Sequence, residues 1–435
     1  MVVRAGDHLE SGGIDSAPTV IQIRDRLGFP ADPGCGFLES GQTGSRTGEA
    51  LRVDADVLGL DGFSFTTVGR VVIVEAHRPD GGNISVTTSA DALDSIDCTR
   101  SWRLHRLAES VAEDGASAVS DLDNLRESVR QFRAYATPWL AVTVGTTMLA
   151  LVVAMQVGVA WQAWVTASVV QVVTAIACQL FGRFNMPQVF TVALQATLAG
   201  AVATALVKAG IVDPVGAAAA IAVNWLLLIP LPQIIGAMNV IIEADYLSAV
   251  TRSGSVAVTG LGITVGGALT FTLGEILHME HPLLEDLPGL PWYFGLVFSA
   301  LGAVGNAFAN GGWLNLVGPA ALIGLITGGV NQAMTTGFGL DTLWGNSVAA
   351  IVLGAVSVVM ASRTGFPQHV FALMGITGAL LPGIAVVSGI LLQMGGASGT
   401  DQFLTAATIS VALGTRSAFG AFVAERIGAA WQRRQ

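Results

Sequence analysis

The chain has 435 residues and a formal net charge of -10, and 52% of its residues are hydrophobic against 12% charged. A mean hydropathy of +0.63 argues for a polytopic membrane protein rather than a string of soluble domains. Charged residues gather before Tyr135 with no basic patch that suits nucleic acid, and Cys35, Cys98 and Cys178 show no CxxC spacing, which argues against a disulfide framework or zinc site.

In chain order, residues 1–35 are rich in Gly, Asp, Ser and Pro and read as a weakly ordered tail. No basic region followed by an apolar one opens the chain, so a cleaved signal peptide is not expected. From Gly36 to Leu60 one or two short helices are expected, with Leu51, Val57 and Leu58 at helical spacing. Strands follow at Phe63–Thr67, Arg70–Ala76 and Asn83–Thr88. The last two are joined by Asp80-Gly81-Gly82, which favours the positive φ of a hairpin turn. Amphipathic helices are expected at Trp102–Glu113 and Asp121–Phe132, the second capped by Ser120. Residues 36–135 thus form a small α+β domain.

From Pro138 the text becomes long apolar runs. About ten spans of roughly 20 residues are expected, at 138–157, 160–181, 188–209, 214–241, 254–277, 292–310, 313–331, 342–361, 367–394 and 402–424. Arg130, Arg133, Arg183, Arg252, Arg363, Arg426, Arg433 and Arg434 fall on one side of such an arrangement. Lys208 and the acidic loop HMEHPLLEDLPGLP fall on the other. The positive-inside rule then puts the α+β domain and both termini in the cytoplasm. Five spans in each half, 138–277 and 292–424, predict two inverted repeats, since an odd number per repeat turns the second copy over.

The fourth span of each half carries the chemistry. One begins at Pro214 and breaks at Pro230; the other begins at Pro367 and breaks at Pro382-Gly383. An interior proline removes a helix hydrogen bond, and in hydrocarbon the freed groups persist only against protein or a polar cavity. Half-helix ends near mid-membrane suit the carboxylate and ammonium of an amino acid. A proline kink that serves only packing is the plain alternative. The expected substrate-binding residues are Asn224, Pro230, Gln233 and Asn239 on the first span and Thr377, Pro382, Gly383 and Ser388 on the second. Arg416 joins them as a charge deep in the last span, either a counter-charge for a carboxylate or an arginine reaching the headgroups. Glu243 and Asp245, closing the first broken span, are the proton-coupling candidates. There is no GxxxxGK[ST] loop for ATP, no triad signature and no ligand set for a metal, so no catalysis and no cofactor are expected. Gly262 and Gly266 fit close helix packing.

On these residues the chain resembles the bacterial threonine/serine exporters. The resemblance covers nearly everything after residue 36: LESGQTGSRTGEALRVDADVLGL, the run from Pro214 through Glu243-Ala244-Asp245 to Leu269, and most closely Pro367, Gly375-Ile376 and Leu381-Pro382-Gly383. The first break, Ile229-Pro230-Leu231-Pro232, lacks the family's glycine, and Arg416 replaces an apolar or small residue. The resemblance implies proton-driven export of L-threonine and L-serine from the bacterial inner membrane. Partners are then the amino acid, protons and the lipid bilayer, with a homo-oligomer left open. A membrane-anchored sensor with a cytosolic ligand-binding domain, or an exporter of another small solute such as a dipeptide, remain alternatives.

Overall fold

The computed structural model describes residues 19–432 except 79, 92, 94, 95, 116–118, 157–160, 185, 277–290, 381–384, 386, 387, 390, 391 and 393–396. Helix α1 (Val20–Glu39) starts at Thr19, whose Oγ1 accepts from Gln22 N at 3.3 Å while Gln22 Oε1 accepts from Thr19 N at 2.8 Å. This reciprocal cap fixes the first turn. The weakly ordered tail expected over 1–35 is therefore replaced, from residue 20 on, by helix. Ile23, Leu27, Ala31, Gly34, Cys35 and Leu38 form a buried stripe at three- and four-residue steps, which the turn-forming residues around Pro30 and Pro33 disguise. Helix α2 (Gly44–Val57) follows, capped by Thr43.

Strands β1 (Ser64–Val68), β2 (Val71–His77) and β3 (Asn83–Ser89) pair antiparallel in that order, with Val74 opposite Phe65 and Val86. Each lies within one residue of its sequence-derived position. Gly81 and Gly82 take φ of 87° and 94° in the turn before β3, a conformation open to glycine at no steric cost. Val72, Val74 and Ala76 alternate inward from β2. They meet Leu27, Phe29, Phe37, Leu51 and Leu104 in one core, to which α3 (Cys98–Asp114) and α4 (Leu122–Ala134) contribute.

The apolar part consists of α5 (Trp139–Gln156), α6 (Trp161–Gly182), α7 (Gln188–Lys208), α8 (Pro214–Leu227), α9 (Leu231–Ile242) and α10 (Tyr246–Ile276). After these come α11 (Trp292–Ala309), α12 (Leu314–Gln332), α13 (Thr342–Thr364), α14 (Gln368–Ala379) and α15 (Thr400–Gln432). A π turn, Ala333–Gly337, extends α12. Among the described residues nine helical stretches are long and apolar enough to cross a membrane, with α8 and α9 counted as one. The tenth expected span, 367–394, is helical over α14, and most of the rest lies outside the described residues. Helix α10 begins eight residues earlier than expected because Asp245 Oδ1 accepts from Ser248 N at 3.1 Å and caps it. Arg252, read as a loop charge, is thereby a buried helix residue that donates to Gln42 O at 3.1 Å.

Matching helices in the two halves pack alike: α7 on α10 and α13 on α15, α6 on α8 and α12 on α14. Both α7–α10 and α13–α15 approach through small residues. A Cβ on Gly266 would overlap Ala193 O, and one on Gly354 would overlap Ser417 O. Such backbone contact needs glycine. Gly354→Val is therefore expected to lower the thermal midpoint of the purified protein, a loss of about 1–3 kcal/mol or more from overpacking. Gly274→Val, where a Cβ meets nothing within 4 Å, is expected to leave it unchanged; equal midpoints for the two variants contradict the packing.

The sheet-bearing unit covers one end of the bundle. It reaches the end of α9 through Arg46 and Glu243, the start of α10 through Gln42 and Arg252, and the end of α11, where Cys98 N donates to Asn310 O at 2.9 Å. It also meets the start of α14, where His369 Nε2 lies 3.2 Å from Ser40 O, and the end of α15 at Glu425.

Candidate functional site

The break in the first half lies between α8 and α9. Asp213 caps α8, with Gly216 N donating to its Oδ2 at 3.2 Å, and Pro214 sits in the first turn, where its missing N–H costs nothing. The helix ends as Leu228 N and Ile229 N turn back to Trp225 O and Leu226 O at 3.0 and 3.2 Å. Pro230 follows at φ -80°, ψ 66°, and Leu231 N closes a tight turn onto Ile229 O at 2.8 Å. The carbonyls of Leu227 and Leu228 accept no hydrogen bond among the described residues.

This corrects the expected pair of half-helix poles. The start of α9 is poor in donors, because Pro232 has no N–H and that of Leu231 is already used. The break thus offers acceptors, suited to an ammonium or hydroxyl. The donors around the break are side-chain amides, Gln171, Gln188 and Gln195.

A cavity of about 340 Å³ opens at the break, lined by Leu227, Leu228, Pro230, Asn224 and Gln233. Asn224 is 3% exposed. Its Nδ2 donates to Ala220 O at 2.8 Å and Ala167 O at 3.2 Å, which leaves Oδ1 buried with no partner among the described residues. The opposite wall holds Gln171 and Thr174 of α6, Gln188 and Gln195 of α7 and Thr259 of α10. Gln188 Nε2 donates to Thr259 Oγ1 at 3.0 Å. The sequence reading missed this wall. Its signal is a polar stripe inside apolar spans: Gln188, Val192, Gln195 and Ala199 fall at steps of four, three and four and share one helix face. A second cavity of about 540 Å³, mainly apolar, lies across the break against Phe271 and Phe403.

Of the expected residues, only Asn224, Pro230 and Gln233 meet in the break cavity. Asn239 faces another cavity, at the junction with the sheet-bearing unit. Thr377 Oγ1 accepts from Asn306 Nδ2 at 3.0 Å and donates to Leu373 O at 2.8 Å, a bond between helices. Ser388 is half-buried, and Pro382 and Gly383 lie outside the described residues. Arg416 is half-buried on α15, lines none of these cavities and has no ion pair among the described residues. Asp245 caps α10.

Glu243 Oε1 pairs with Arg46 Nε at 3.2 Å, and Arg46 Nη2 pairs with Glu425 Oε1 at 2.8 Å. Burial pushes the Glu243 carboxyl up from the usual carboxylate range, against the opposing pull of Thr43 and Arg46. Beneath this pair, burial holds His105 down at about 4. The imidazole is therefore neutral and donates Nε2–H to Gln42 Oε1 at 2.9 Å, which fixes the Ser40–Thr43 loop against the bundle.

The model of a family described as "Putative threonine/serine exporter" matches residues 34–274, from the sheet-bearing unit through α8 and α9 to α10. A protein of Mycobacterium tuberculosis (strain ATCC 25618 / H37Rv) named "Probable threonine/serine exporter" is 26% identical over 436 aligned residues, covering 95% of this chain and 78% of its own. No solved structure matches the chain. With more than half of its length in the family model and the α8–α9 break inside the match, the chain belongs to the threonine/serine exporter family.

Proposed function

We propose that the protein exports L-threonine and L-serine across the bacterial inner membrane in exchange for protons, with the cavity at the α8–α9 break as its substrate site. The carrying observation is the set of unsatisfied acceptors there: Asn224 Oδ1 and the carbonyls of Leu227 and Leu228. Of these Asn224 Oδ1 is buried, and a buried acceptor without a donor is costly. A substrate ammonium and hydroxyl supply the donors, and the amides of Gln171 and Gln195 supply donors to its carboxylate. The name of the mycobacterial relative and the family's name support the choice of amino acid.

Alternating access then works between two inverted halves, 138–277 and 292–424. Supporting this are the matched packing of third on fifth span and second on fourth, and the opposite entry of the first spans. Helix α5 starts beside the sheet-bearing unit, where Thr137 Oγ1 donates to Asp97 Oδ2 at 3.1 Å, whereas α11 ends beside it at Asn310. The sheet-bearing unit and both termini face the cytoplasm in this reading, from the arginine distribution.

Glu243 is the proton carrier of choice, being partly buried, with its carboxyl raised by burial, and paired to the Arg46 guanidinium. When it takes a proton it loses its charge attraction to Arg46, so the hold of the sheet-bearing unit on α9 weakens. Glu243→Gln is expected to abolish the dependence of efflux on a pH gradient while exchange at equal pH persists. Efflux from proteoliposomes loaded with radiolabelled threonine, with and without an imposed gradient, tests both points. Label retained as fully with the protein as without it rejects the export reading; a gradient effect unchanged in Glu243→Gln rejects the carrier.

A further inference from the structure

A third cavity, about 450 Å³, lies where the sheet-bearing unit meets the bundle. Its walls come from α2, α9, the start of α14 and the end of α15, so both halves and the soluble unit contribute. Three carboxylates, Glu49, Glu243 and Glu425, face two guanidiniums, Arg46 and Arg426. Arg46 is fixed between two of the carboxylates by its ion pairs, while Arg426 stacks over the Phe422 ring at 5.1 Å and keeps its charge toward solvent. The amide of Gln368 also lines this space. It is 9% exposed and its side chain makes no hydrogen bond among the described residues. Its amide is therefore free to bond to whatever occupies the cavity.

Helix α9 joins this cavity to the one at the break: Pro232 and Gln233 at its start line the inner cavity, and Asn239 and Ile242 near its end line the junction. Twelve residues of helix place the two about 18 Å apart at most. The space is of the size that holds a small ligand. Charges of both signs on opposed walls, with one negative charge in excess, suit a small molecule with an ammonium and a carboxylate better than an anion or a neutral solute.

We propose that the junction cavity is a second amino-acid site, in which Glu425 and Glu243 take the ammonium, Arg426 takes the carboxylate and Gln368 completes the shell before the substrate passes along α9. The proposal rests on the exporter reading, but Glu425, Arg426 and Gln368 take no part in the break cavity, so the two sites fail separately. Saturation binding of radiolabelled L-threonine to the full-length protein in lipid nanodiscs is expected to give two molecules per chain. Glu425→Gln and Arg426→Gln each weaken one site by about ten-fold or more and leave the other; Asn224→Ala does the reverse. Arg426 is exposed, so its variant folds even if Glu425→Gln does not. Threonine methyl ester and N-acetylthreonine, each lacking one charge, are expected not to displace label from the junction. One molecule per chain, lost in Asn224→Ala and retained in both junction variants, overturns the second site and leaves the exporter reading intact. One molecule lost only in the junction variants upholds the junction and removes the break cavity. Absence of binding in the wild type overturns both.

Discussion

Asn224→Ala is expected to cut threonine efflux by one to two orders of magnitude without destabilising the protein. In the folded chain the side chain donates twice, to Ala220 O and Ala167 O, yet its Oδ1 is buried and unmatched. An unsatisfied buried acceptor costs about 1–3 kcal/mol, which the substrate recovers when its ammonium or hydroxyl donates. Removing the acceptor loses that difference at the substrate, roughly a 5- to 150-fold effect on kcat/KM. The same change removes the orphan acceptor along with the two bonds from Nδ2, gains and losses of similar size, so the thermal midpoint should change little. A residue that merely ties helices together would behave differently, losing stability and keeping transport. Efflux kinetics measured beside a melting curve separate the two roles, and a destabilised variant with normal efflux refutes the assignment.

Asp54 carries the second large effect, on stability rather than transport. It lies on α2, 1% exposed, with both carboxylate oxygens buried and without a hydrogen-bond partner among the described residues. Burial alone pushes its carboxyl up to about 8 from 3.8. The unfolded chain keeps the ordinary value, so below about 4 both states hold the proton and the group makes no difference. Between about 4 and 8 the folded state must bind a proton that the unfolded state has released, and stability falls as pH rises; above 8 the loss is complete. The loss amounts to roughly 6 kcal/mol over that interval. Hydrogen exchange of the α2 amides, corrected for intrinsic rates, should therefore show protection that weakens from pH 5 to pH 8. Asp54→Leu should flatten that decline and raise protection at pH 8. A variant with the same slope as wild type would mean that the carboxylate finds a partner.

What the sequence made legible follows from the range of the interactions involved. The strands declared themselves because alternation along β2 and the Gly81-Gly82 turn are local signals. The long spans did so because hydrocarbon length is a property of consecutive residues. Pro230 marked its break for the same reason. Helix α1 stayed hidden because its buried stripe is interrupted by Pro30 and Pro33, which weigh against helix locally while the sheet and α4 supply the packing that overrides them. Arg252 looked like a loop charge because only the docked Gln42 carbonyl, 210 residues away, makes its burial tolerable. The candidate site was half legible. Asn224 and Gln233 stand beside the proline and could be picked out, but the wall of Gln171, Gln188 and Gln195 depends on how α6 and α7 face the broken helix. Thr377 illustrates the converse: polar, near the second break, and already committed to Asn306.

The junction divides similarly. Glu243 was visible as a carboxylate closing a broken span. Arg46 and Glu425, 379 residues apart, come together only in the folded chain. That pairing lets one guanidinium of the soluble unit hold the ends of α9 and α15 at once. A movement of one half against the other therefore has to break at least one of its two ion pairs.

A structure of the protein with L-threonine bound tests the substrate assignment most directly. Density for the amino acid is expected between Asn224, Gln233 and the carbonyls of Leu227 and Leu228, with its ammonium toward the end of α8. Threonine bound elsewhere in the bundle, with the cavity at the α8–α9 break empty, would contradict it.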